Sequence, residues 1–186
     1  MAAGLQGILD KAVAAHRRGD LGGAERGYLT VLKAIPRHFG ALQFMGALAV
    51  QRRRYEQADQ LLARALEIDP CHLGALINRS IALQALNRVA EALATVDQAL
   101  ALNPRDPLAL NNRGNILQRM GRTAEALASF DLTLSVQPGY VDALCNRANL
   151  LLVVSRLEEA LQGYSSVLAR KSDHAPALQG CGDALL

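Results

Sequence analysis

In the stretch LALNNRGNILQRM, residues 108–120, Leu110, Ile116 and Leu117 fall on one helical stripe, with Gly114 among them and polar residues between. Gly121 follows and is expected to stop the helix, since glycine tolerates the left-handed backbone found at helix ends. A second stretch, TAEALASFDLTLSV, carries Ala126, Phe130, Leu134 and Val136 at helical spacing. Thr123 is the expected N-cap of that second helix. Glu125 lies in its first turn, where a carboxylate suits the helix dipole. Pro138 stands where the second helix has to end. The pattern predicts two helices in about one-fifth of the chain.

The same pattern recurs every 34 residues. Pro36, Pro70, Pro104 and Pro138 keep that step, with Ser172 in the fifth place. So do Ala24, Ala58, Ala92, Ala126 and Ala160, and Leu32, Leu66, Leu100, Leu134 and Leu168. A fourth register runs Ile8, Leu42, Leu76, Leu110, Leu144 and Leu178. Four registers at one period mark a repeat protein. Small residues hold one place of the first helix (Ala12, Gly46, Ser80, Gly114, Ala148, Gly182), and the alanine series holds one place of the second. Small side chains at a crossing let antiparallel helices approach closely, and a large residue there would overpack the contact. Each hairpin has too little core of its own and must stack on its neighbours. The predicted fold is all-α, an α-solenoid of antiparallel helix pairs.

Composition agrees with this and narrows the chemistry. Of 186 residues 51% are hydrophobic but only 4% aromatic, with no tryptophan, so Leu and Ala must fill the core. Both lead the helix propensity ranking. The N-terminus has no basic segment followed by a long apolar one, and no apolar run is long enough for a membrane span. The cysteines Cys71, Cys145 and Cys181 are odd in number and form no CxxC pair, which points to a reduced, cytoplasmic protein. Arginine far outnumbers lysine, a bias of the kind a GC-rich bacterial genome produces.

The repeat resembles the tetratricopeptide repeat, on its 34-residue period, its two small positions, its aromatic of the second helix and its closing proline. Repeats are 5–38, 39–72, 73–106, 107–140 and 141–174, and 175–186 is the first helix of a sixth, the whole forming a single array. Leu62 and Val96 depart from the family's aromatic. The resemblance implies a right-handed superhelix whose first helices line a concave groove. Carried over repeat by repeat, the groove positions hold Asn78, Asn112 and Asn146 at the sixth place, with Ile77, Asn111, Asn115, Gln118, Arg119 and Asn149 beside them. A carboxamide offers one acceptor and two donors, so it can pair with both polar groups of a peptide unit. One per repeat could hold an extended peptide by its backbone. Neighbouring first helices lie about 10 Å apart, which about three extended residues span. This row is similar to the asparagine ladder in the tetratricopeptide arm of O-linked N-acetylglucosamine transferase-like proteins.

Phe44 replaces the ladder asparagine in the second repeat and makes a candidate pocket for an apolar side chain. The neighbouring Arg79, Arg113 and Arg147 are read as seam residues, their stems packed and their guanidinium groups reaching water or a carboxylate. The dicarboxylate clamp of chaperone-binding tetratricopeptide domains is absent: Asn111 replaces its lysine, and Pro176 and Gly180 its later basic pair. No binding to chaperone C-termini is expected.

Catalysis is not expected. His38, His72 and His174 recur at repeat junctions because the loop recurs, so neither a metal site nor a cofactor is predicted. A basic edge of Arg54, Arg88, Arg122 and Arg156 is diluted by nearby glutamates and lacks aromatics for base stacking, which disfavours nucleic acid. The final stretch APALQGCGDALL leaves Leu178, Leu185 and Leu186 without a second helix to cover them. The expectation is a piece of a longer polypeptide, or an open end that joins another copy. The sequence therefore predicts a non-enzymatic module that binds a peptide or partner helix in its groove. Its alternatives are the recognition arm of a larger enzyme and a self-assembling scaffold.

Overall fold

The computed structural model describes residues 2–184, and among them the chain forms eleven α-helices and no strand. Leu185 and Leu186, predicted to lack a partner helix, lie outside the described residues. The helices are α1 (Ala2–Arg17), α2 (Leu21–Ala34), α3 (Phe39–Gln51), α4 (Tyr55–Leu66), α5 (Leu73–Ala85), α6 (Val89–Leu102), α7 (Pro107–Arg119), α8 (Thr123–Val136), α9 (Val141–Val153), α10 (Leu157–Leu168) and α11 (Ala175–Asp183). Pro36, Pro70, Pro104 and Pro138 each follow the end of a second helix by a few residues, as the pattern requires. No described helix is long and apolar enough to cross a membrane.

The corners between paired helices are built alike. Gly19, Arg53, Asn87, Gly121 and Ser155 all have positive φ, between 57° and 82°. At each corner the next N–H returns to a carbonyl five residues back, as in Arg54 to Ala49 at 2.8 Å and Arg122 to Leu117 at 2.9 Å. The left-handed residue turns the chain so that these otherwise orphaned carbonyls are used. The predicted cap Thr123 is instead the first residue of α8. Arg122 is the N-cap and makes no side-chain cap bond. Its side chain turns to Glu125, with Nε and a terminal nitrogen each 2.6 Å from a carboxylate oxygen.

Two compact units make up the chain, Met1–Leu102 and Asn103–Leu186. In the first, the hairpins α1–α2, α3–α4 and α5–α6 stack through α2 on α3 and α4 on α5, while α1, α3 and α5 touch in succession. Its core runs through Leu9, Ala24, Tyr28, Leu42 and Leu48 to a second cluster of Ala58, Leu62, Ala75 and Ala82. In the second unit, α7–α8 and α9–α10 stack through α8 on α9, and α11 packs on α10 and α9. Ala148, Leu151, Ala160, Tyr164 and Val167 are buried there. The small positions work as steric gates. A Cβ on Gly46 would lie 2.6 Å from Leu62, and one on Gly114 would lie 2.4 Å from the Phe130 ring. Where the first helix carries alanine instead, the second carries glycine: Gly27 faces Ala12 and Gly163 faces Ala148. A built Cβ on Gly182 meets nothing within 4 Å.

Candidate functional site

The histidines at the repeat junctions are helix caps. Nδ1 of His38, His72 and His174 accepts from the backbone N–H of Ala41, Ala75 and Ala177, at 3.2, 3.0 and 3.3 Å. Asp106 does the same for Ala109 at 2.9 Å. These side chains satisfy N–H groups that a helix start leaves unpaired.

The paired arginines have two structural uses. Arg79 donates from Nε to Asp59 at 2.7 Å, Arg147 to Asp131 at 2.5 Å, and Arg113 to the Ser129 hydroxyl at 2.9 Å. Each joins a first helix to a second helix beside it. The later arginines fork onto the glutamate three residues on: Arg88 to Glu91, Arg122 to Glu125 and Arg156 to Glu159. These hydrogen bonds hold the three carboxyls below the ordinary carboxylate range. In the first hairpins Arg52 and Arg54 share Glu25 instead. In each unit the arginines of the basic edge are thus tied to glutamates by charge-assisted bonds.

Five of the predicted groove residues come together in the second unit. Asn111, Asn112 and Asn115 on α7, and Asn146 and Asn149 on α9, line one depression of about 500 Å³. Asn146 donates through Nδ2 to Asn111 Oδ1 at 3.3 Å, and Asn149 Oδ1 accepts from the Tyr164 hydroxyl at 2.7 Å. Asn111 and Asn112 are only 4% and 7% exposed, and Asn112 Nδ2 is buried with no hydrogen-bond partner. Sequence reasoning missed Tyr140, Asp142, Cys145 and His174, which also line this depression. Asp142 stands at the second place of its repeat, a groove position in the family pattern, and so was legible; Tyr140 and His174 come from the junction loops and were not. Cys145 Sγ lies 3.7 Å from His174 Nδ1. Burial pushes the Cys145 thiol up, away from the thiolate form, and that nitrogen already accepts from Ala177.

The remaining predicted residues lie elsewhere. Gln118 is half-buried and Arg119 exposed, both on α7. Asn78 is half-buried on α5, and Ile77 beside it is buried, with 5% exposure. Phe44 is half-buried and stacks on Tyr28, ring centroids 6.0 Å apart and 15° from parallel. Its other edge borders two depressions shared with α1, of about 460 and 270 Å³, both reaching Val13 and Arg17. The Tyr28 hydroxyl below it lies 3.1 Å from His16 Nδ1, whose Nε2 lies 2.9 Å from Gln51 Oε1. Phe44 therefore both packs and lines.

Two family models described as tetratricopeptide repeat match the chain, one over residues 49–116 and the other over 111–176. No curated protein sequence is similar enough to count as a relative. Among solved structures, the thermophilic tetratricopeptide protein TTC0263 of Thermus thermophilus superposes with a TM-score of 0.78 at 23% identity, covering 98% of this chain and all of that one. PilW, a widely conserved type IV pilus biogenesis factor, gives 0.83 at 22% identity, over 97% of this chain and 89% of its own. YrrB, a protein with an unusual peptide-binding site, gives 0.74 at 23% identity, over 92% and 89%. At these identities the likeness is one of fold.

Proposed function

Because residues 49–176 belong to the tetratricopeptide-repeat family, we propose that this chain is a non-enzymatic protein–protein interaction module that holds an extended peptide against its first helices. Proteins of this family recruit other proteins or peptides. One structural neighbour, YrrB, is itself described by a peptide-binding site. The observation that carries the reading is the depression of the second unit, where five carboxamides from two adjacent first helices converge. Each can meet a peptide C=O or N–H, and together they read backbone more than sequence. The half-buried Phe44, with the depressions beside it, offers a place for an apolar side chain in the first unit. A recognition arm for an O-linked N-acetylglucosamine transferase-like enzyme is the narrower form of the same reading.

The test is direct. Peptides selected from a random library on the intact chain are measured again after Asn112, Asn115 and Asn146 are replaced by Ala. Loss of three hydrogen bonds, each worth about 0.5–1.5 kcal/mol net, should weaken binding by about tenfold or more. The helical circular dichroism should stay as it was. Unchanged affinity for every selected peptide removes the carboxamides from the account.

A further inference from the structure

The polar floor of the second unit's depression is unbalanced. Asn111 Oδ1 and Asn149 Oδ1 are already accepting, from Asn146 and from Tyr164. Against those engaged acceptors stands a donor with no partner, Asn112 Nδ2, on a side chain of a residue only 7% exposed. A buried N–H without an acceptor is costly to leave so, and here it belongs to a residue that lines an open depression. The missing partner is an acceptor.

The charges around the depression are equally one-sided. Asp142 is its carboxylate, exposed, with no ion-pair partner among the described residues. Neither lysine nor arginine lines it. His174 Nδ1 is taken by the Ala177 N–H, which it accepts at 3.3 Å. Asp142 gives the mouth of the depression its negative charge, while burial, and after it the charges of Asp142 and Asp106, raise the Tyr140 hydroxyl and keep it protonated. A carboxylate ligand would satisfy Asn112 but would be repelled by Asp142. A backbone carbonyl satisfies Asn112 without that penalty, and a basic side chain on the same peptide adds an attraction.

We infer that this depression selects extended peptides that place a backbone carbonyl on Asn112 Nδ2 and a lysine or arginine side chain against Asp142. The inference rests on the peptide-binding reading above and adds the charge of the ligand. An acidic peptide is disfavoured by the same charge.

The experiment uses the full chain and three pools of random, N-acetylated, C-amidated decapeptides that differ only in one fixed central residue: lysine, glutamine or glutamate. Binding is followed by fluorescence anisotropy at low salt. The lysine pool should bind about three- to tenfold more tightly than the glutamate pool, with glutamine between, as expected of a single exposed charge. Added salt should narrow that spread. Asp142→Lys, at an exposed position, should reverse the order. Asn112→Leu should weaken all three pools while the thermal midpoint holds or rises, because an unpaired buried donor has gone. An order that survives Asp142→Lys overturns the charge selection. Asn112→Leu that lowers the midpoint but leaves binding intact overturns the carbonyl contact, because the residue is then structural. Binding by none of the pools overturns the peptide-binding reading itself.

Discussion

Single residues at the corners decide how each helix pair turns back on itself. Five corners share one backbone conformation with positive φ, yet only Gly19 and Gly121 are glycines. Arg53, Asn87 and Ser155 carry a Cβ in a region that costs a non-glycine residue about 1–2 kcal/mol, less for asparagine. Ser155→Gly should therefore stabilise the protein, by about 0.5–1 kcal/mol once the greater freedom of the unfolded glycine is offset. A rise in the urea midpoint at unchanged slope would show it, and a fall would mean that the corner is relieved some other way. The capping histidines act at the same scale. Their recurrence could be read from the sequence, but their task could not. Whether a junction histidine points to solvent, to a ligand or back to N–H three residues ahead depends on the local backbone, and here the extended cap geometry of His38, His72 and His174 aims Nδ1 at the helix start.

Between elements, the decisive quantity is how close two helices can approach. Gly114 lies against Phe130, which is fully buried, so Gly114→Ala forces a carbon into space the ring occupies. We expect a loss of about 1–3 kcal/mol. Phe130→Leu should recover part of it, and in a double-mutant cycle the two changes should couple rather than add. Additivity in that cycle would mean that the ring is not the obstacle. Gly182→Ala is the matched control, since nothing lies near its added methyl and the gain in helix propensity alone should show. The period made these positions visible as small residues. In the pairs Ala12 with Gly27 and Ala148 with Gly163 the second helix supplies the glycine, which a register of the first helix alone does not reveal.

On the scale of the whole molecule, the charge forms a set of bound pairs. The Arg forks depress the carboxyls of Glu91, Glu125 and Glu159 below their ordinary value of 4.5. A carboxyl that is more acidic when folded contributes stability that is fully present above its unfolded value and is lost as pH falls through the folded one. The protein should therefore lose stability as pH drops below about 4.5, and more gently at high salt, since the forks are exposed. Replacing the three glutamates with glutamine should flatten the urea midpoint against pH in that range. An equally steep fall in the triple variant would place the acid sensitivity elsewhere.

Helices and their order follow from the sequence alone, because the period of apolar and small residues repeats the same helical spacing and the same close approach in each hairpin. The prolines and Gly121 end helices through their own backbone geometry, and they were legible for the same reason. Thr123 shows where local reasoning stops: a good capping residue stands one place too late, and the arginine before it takes the cap position because its fork to Glu125 belongs to the corner. That α7 and α9 carry carboxamides on facing positions could likewise be read from the sequence, but how those carboxamides bond could not. Which oxygens are engaged, which nitrogen is left over and which charge stands beside it depend on side chains from α7, α9, α10 and the junction loops, brought together by stacking. A repeat fixes where a side chain starts, and only packing between repeats decides what it meets, since hydrogen bonds and burial are set by neighbours distant in the chain.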